Sequence, residues 1–119
     1  MGNLGFLSNL KTRQLTPEIT TSTGNLYGIS AYQFGNVVFL NIAINNSNNI
    51  TTGSNIFVGT VSNIPLPAYP ATTGGYYNTY GINGMLRSNG QVIIKNISNS
   101  TITINEADSA TLSFTYVAR

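Results

Sequence analysis

Three carboxylate side chains, Glu18, Glu106 and Asp108, are all that the 119 residues offer for acid–base or metal chemistry, since histidine and cysteine are both absent. Glu106 and Asp108 stand two apart. A glycosidase needs its carboxyl groups on either side of a sugar ring, a separation that near neighbours in sequence seldom supply. Calcium wants about six or more oxygens, and two carboxylates fall well short. Support of the turn before a final strand asks least of this pair. Without histidine no side chain titrates near neutrality unaided, and without cysteine there is no thiolate nucleophile, disulfide or cysteine-bound zinc. The glycines never stand between a strand and a helix, so no phosphate-binding loop is expected either. The expectation is a protein without catalytic residues, metal or cofactor.

Recognition is the chemistry that remains. The segment Gly74-Gly75-Tyr76-Tyr77-Asn78-Thr79-Tyr80 places three tyrosines within five residues, entered by a double glycine. A tyrosine offers a flat apolar face and a polar tip, the surface that a sugar ring stacks on. Tyr76, Tyr77 and Tyr80 could line a shallow groove with Asn78 as a hydrogen-bonding partner and Arg87 at the far end of the same strand. The alternative is that Tyr76 and Tyr80 face the core or a subunit interface, because residues two apart on a strand share a face. The asparagine-rich residues 45–55 read as a loop, which either hydrogen-bonds a glycan or faces water.

Only 7% of the residues are charged, against about 25% in an ordinary soluble protein. Lys11, Arg13, Arg87, Lys95 and Arg119 form no cluster, so the several phosphate contacts that a nucleic-acid binder needs are missing. No apolar run approaches the ~20 residues of a membrane helix, and the N-terminus has neither a secretory nor a myristoylation pattern. Seventeen asparagines, 15 threonines and 11 serines carry solubility instead. Such a surface responds little to salt, and its amides and hydroxyls match the donor and acceptor pattern of sugar hydroxyls. An AT-rich coding sequence would raise the asparagine and isoleucine counts as well.

The elements that must position these residues follow from periodicity, within a length that suits one domain. Leu4, Leu7 and Leu10 have i, i+3 spacing, so residues 1–24 read as a leader or the stub of a stem, with Pro17 and residues 20–24 as linker. From residue 25 to 119 the period is two. Val38, Leu40, Ile42 and Ile44 alternate with Phe39, Asn41 and Ala43, and Gly35-Asn36 separates this strand from residues 26–34 as a hairpin turn. Residues 56–61 form a third strand. Pro65, Pro67 and Pro70 then forbid a central strand, because each removes a backbone donor. Residues 76–86 read as one strand, interrupted at Gly81 and Gly84. Ser88-Asn89-Gly90 turns into residues 91–97, Asn99-Ser100 turns into 101–105, and residues 110–117 close with Leu112, Phe114 and Tyr116 on one face. Seven or eight short antiparallel strands with regular turns predict an all-β sandwich or jelly roll.

Several of these pieces, taken in order, resemble the C-terminal head, or knob, domains of tail-fibre and baseplate receptor-binding proteins from phages of Gram-positive bacteria. The hairpin Ala31-Tyr32-Gln33-Phe34-Gly35-Asn36-Val37-Val38 comes first. Gly59-Thr60-Val61 with Leu66-Pro67-Ala68-Tyr69-Pro70 is similar to the family's proline corner, although the glycine and arginine around its tyrosine are missing. Asn89-Gly90-Gln91-Val92 and Leu112-Ser113-Phe114-Thr115-Tyr116 resemble its later turn and final strand. The likeness spans Tyr27 to Arg119. It implies a homotrimeric β-sandwich at the tip of a phage tail appendage, carried on the virion and acting outside the cell. Its implied partners are bacterial cell-surface polysaccharide, two further copies of itself and an upstream fibre or baseplate protein, with no nucleic acid and no membrane insertion. The implied function is non-catalytic adhesion to host saccharide. The alternative is a structural module that trimerises or caps a fibre without touching a receptor.

Overall fold

The computed structural model describes residues 12–21, 25–77, 80–104 and 110–119. All regular structure among them is β-strand: β1 (Thr12–Leu15), β2 (Glu18–Thr21), β3 (Asn25–Phe34), β4 (Val37–Ile50), β5 (Asn55–Ser62), β6 (Ala71–Tyr77), β7 (Tyr80–Leu86), β8 (Gln91–Asn96), β9 (Ile102–Ile104) and β10 (Ala110–Val117). Every pairing is antiparallel. One sheet runs β1-β3-β4-β10, with β9 also paired to β4, and the other runs β2-β5-β8-β7-β6. This is the antiparallel sandwich expected from the pattern, with ten strands rather than seven or eight.

The three additional strands arise where local pattern is weakest. Residues 12–21, read above as leader and linker, donate an edge strand to each sheet: β1 pairs with β3 and β2 with β5. The chain changes sheets at Thr16-Pro17, where the Asn63 amide donates to the Thr16 carbonyl at 2.8 Å. Residues 76–86 are not one strand but parts of two, since β6 and β7 form a hairpin in which Tyr77 pairs with Tyr80. The predicted loop at 45–55 is also shorter than expected, because β4 continues to Ile50 and pairs with β9. The predicted Leu4–Leu10 stub and the carboxylates Glu106 and Asp108 lie outside the described residues.

Alternation assembles the core between the two sheets. Val38, Leu40, Ile42 and Ile44 of β4, with Leu112, Phe114 and Tyr116 of β10, are buried on the first sheet. Ile82 and Leu86 of β7, with Val92 and Ile94 of β8, are buried on the second. Each such aliphatic side chain contributes roughly 1.5–3 kcal/mol on leaving water. β5 departs from strict alternation because its register to β8 shifts between Phe57 and Gly59, and a bulge there buries Val58 as well as Val61.

The proline-rich segment after β5 closes one end of the sandwich. Pro67 bridges Ala118, the Ala68 amide donates to Val117 O at 3.0 Å, and the Arg119 amide donates to Leu66 O at 3.1 Å. The Tyr116 hydroxyl donates to the Pro65 carbonyl at 2.6 Å from a nearly buried ring. Burial pushes its phenol up to about 12. The free phenol titrates at about 10, so the folded state holds the proton more tightly than the unfolded chain. That stabilisation is complete below pH ~10 and is lost as pH rises toward ~12. Tyr116→Phe should therefore cost about 1 kcal/mol at neutral pH and narrow the alkaline fall in the urea midpoint. An equal alkaline fall in both proteins would place the titrating group elsewhere.

Candidate functional site

The outer face of the second sheet is built as successive rows, because residues paired across antiparallel strands share a face. One row runs Phe57, Ile93, Met85 and Thr72 across β5, β8, β7 and β6. Two residues further along, the next row runs Asn55, Lys95, Asn83 and Gly74. The row after that contains Gly81, with Ile97 half exposed beside it. Polar residues thus lie between two apolar borders. Asn55, Thr72, Asn83, Met85, Ile93 and Lys95 together line a shallow depression of about 140 Å³.

The tyrosine segment adjoins this face. Tyr76 pairs with Gly81 and Tyr77 with Tyr80, so the backbones of the three tyrosines converge on the tip of the β6–β7 hairpin. Asn78 lies outside the described residues, as does Thr79. Arg87 follows the opposite end of β7, about 23 Å from Tyr80 at ~3.3 Å per residue. Its guanidinium donates to Gln91 Oε1 at 3.4 Å. The hairpin therefore gathers Tyr76, Tyr77 and Tyr80, and leaves Arg87 at the other end of the strand. In the second predicted candidate, Asn45 pairs with Asn25 and Asn46 with Ile104 inside β4, while Asn55 opens β5.

The row through Asn55, Lys95 and Asn83 is not visible as a motif, because its members come from three strands. The signal available was parity alone: in residues 91–97 the positions alternating with Val92 and Ile94 are Ile93, Lys95 and Ile97, the outward set.

The outer face of the first sheet has a different character. Phe34 pairs with Val37 and Val37 with Val117, and in the adjacent row Tyr32 pairs with Phe39 and Phe39 with Thr115. Phe34 and Phe39 are each 43% exposed and Val117 57%. These side chains form an apolar ladder on the surface of the isolated chain. Beside it lie Ser30, Asn41 and Ser113, with the Ser113 hydroxyl 2.7 Å from Asn41 Oδ1.

Glu18 is the only carboxylate side chain among the described residues, and no group of three potential metal ligands occurs among them. No described helix is long and apolar enough to cross a membrane.

No protein-family model matches the chain, and no curated protein matches it in sequence. Among solved structures, the head domain of lactococcal phage bIL170, described among the receptor-binding domains of lactococcal phages, matches 92% of this chain and 99% of its own. The TM-score is 0.52 and the sequence identity 16%. The fold is similar to that of the bIL170 head domain. At this identity the two chains share an architecture more than a set of side chains. The two sheets include β1 and β2, which lie before the residues 25–119 expected from the sequence.

Proposed function

We propose that the chain is a non-catalytic receptor-binding head of a phage tail appendage, adhering to a saccharide on the surface of its host. The observation that carries this reading is the match of nearly the whole chain to the head domain of phage bIL170. The surface supports it. Uncharged amides and hydroxyls dominate, and the tyrosine hairpin stands at the edge of the second sheet, on strand β6. In this reading Tyr76, Tyr77 and Tyr80 stack against sugar rings, with Asn78 bonding their hydroxyls and Arg87 at the margin.

A single such site is weak, because each hydrogen bond to a sugar nets only about 0.5–1.5 kcal/mol against water. Multiplicity supplies the rest. The apolar ladder of Tyr32, Phe34, Phe39 and Val117 is the surface a subunit interface would cover, and we assign it to a homotrimer. Three linked sites raise avidity by roughly 10²–10⁴ without any new contact. The head then acts at the tip of the virion's tail, joined to an upstream fibre or baseplate protein.

Light scattering on a sizing column should give about three times the chain mass of 12.7 kDa. Tyr76→Ala, Tyr77→Ala and Tyr80→Ala, made singly, should lower adsorption to Gram-positive host cells, with at least one variant losing about tenfold while keeping its fold. Three folded variants that adsorb like the parent would remove the hairpin from the site.

A further inference from the structure

Lys95 stands between Asn55 on β5 and Asn83 on β7. None of the three side chains has a hydrogen-bonding or ionic partner among the described residues. Glu18, the one described carboxylate side chain, is on β2 opposite Ser62, outside this row. At the edge the row ends on Gly74, which places no side chain beside Asn83. An isolated lysine on a polar surface commonly extends into water. This one shares a depression of about 140 Å³ with both amides and with the apolar side chains of Ile93 and Met85.

The donor and acceptor balance of the row sets its ligand. An ammonium only donates, and each asparagine adds an amide group that donates and a carbonyl that accepts. Donors are in excess and the charge is positive, so the complementary group is rich in acceptor oxygens and negative. The amide carbonyls suit hydroxyls beside that group, and the apolar row suits the C–H face of a ring. We propose that Asn55, Lys95 and Asn83 form a subsite for a sugar unit bearing an anionic substituent, phosphate or carboxylate. The anion lies on Lys95, the ring hydroxyls lie on Asn55 and Asn83, and the ring rests on Ile93 and Met85. The inference rests on the receptor-binding reading, whose ligand class it narrows.

Titration of the ¹⁵N-labelled chain at low ionic strength with glucose, glucose 6-phosphate and glucuronic acid tests it. One or both anionic sugars should shift the backbone amides of Asn55, Asn83 and Lys95, and glucose at equal concentration should not. A response to the phosphate sugar alone identifies phosphate, and a response to the uronic acid alone identifies carboxylate. Lys95→Gln should weaken that binding about tenfold, because charge-assisted bonds are roughly twice as strong as neutral ones. It should leave the melting temperature unchanged, since Lys95 is exposed. Shifts that are absent from this row, or equal for glucose, overturn the subsite. Adsorption to isolated Gram-positive cell walls separates the two readings. Parent and Lys95→Gln adsorbing alike removes the subsite and leaves receptor binding standing. A parent that shifts at this row with the anionic sugars yet adsorbs to no wall keeps the subsite and removes the receptor assignment.

Discussion

Gly90→Ala is expected to be the most destabilising single change to a turn of this chain. Gly90 is buried in the turn between β7 and β8 with φ at +90°, a conformation L side chains rarely adopt. A β-carbon there would collide with the Val61 carbonyl oxygen. That oxygen is backbone and has no flexible end to swing aside. The same two residues are joined by the Val61 amide donating to Gly90 O at 2.8 Å, and the Gly90 amide donates to Arg87 O at 2.9 Å. Relieving the clash means separating β5 from the β7–β8 turn and losing that bond. Backbone strain of about 1–3 kcal/mol adds to a hydrogen bond worth about 1 kcal/mol, before any cost of moving the strand. The sum of about 2–4 kcal/mol, before the strand moves, is a large share of a typical ~5–15 kcal/mol stability. Gly53→Ala is the control, because Gly53 has φ at +78° with nothing within 4 Å of the added carbon. It should cost only the left-handed backbone, about 1–2 kcal/mol. Urea denaturation showing equal losses for the two variants would contradict the contact.

Asn96→Ala should be nearly as damaging. Asn96 occupies an inward position on β8 and is the one buried polar side chain among the described residues. Its amide donates to Ile50 O and Ser100 O, each at 2.8 Å, and its Oδ1 accepts from the Ser98 amide at 2.9 Å and the Ser98 hydroxyl at 2.6 Å. These bonds tie the end of β4 to the turn before β9. Truncation strands several backbone groups at once, at about 1–3 kcal/mol for each that stays dry, so a loss of roughly 3 kcal/mol is expected. Asn96→Asp keeps the shape and isolates the electrostatics. An ionised carboxylate would face two carbonyls, and burial disfavours it further, so its folded-state pKa must lie above the unfolded ~3.9. The variant is then most stable relative to the parent below pH ~4 and loses ground as pH rises through the folded value. A difference in melting temperature that did not change with pH would show that the site admits water.

Much of the fold was legible because a half-buried strand writes its face into every second residue. Val38 to Ile44 and Leu112 to Tyr116 marked both the strands and the inward side, and Gly35-Asn36 marked the hairpin between β3 and β4. The failures share a cause. β1 and β2 are short edge strands whose partners lie far along the chain, and Pro17 between them reads locally as linker. Asn78-Thr79 lacks the glycine of the strongest hairpin signals, so the β6–β7 hairpin passed for one strand. Residues 45–49 are polar enough for a loop, and pairing with β3 and β9 overrides that composition. The candidate site divides in the same way. The tyrosines were visible because they are neighbours in sequence, whereas Asn55, Lys95 and Asn83 meet only through strand register. Asn96 shares the parity of Val92 and Ile94, which sets it on the inward face, but its partners Ile50 and Ser100 meet it only through packing.

The proposed function requires the chain to adhere to a saccharide on a bacterial surface. Adsorption of the fluorescently labelled chain to a panel of Gram-positive cells, before and after periodate oxidation of their surface glycans, tests it most directly. Saturable adsorption to at least one strain is expected, lost on oxidation and competed by that strain's purified wall polysaccharide. Adsorption that survives oxidation would make the receptor something other than a glycan, and a trimer that adsorbs to no strain would make the domain a structural cap.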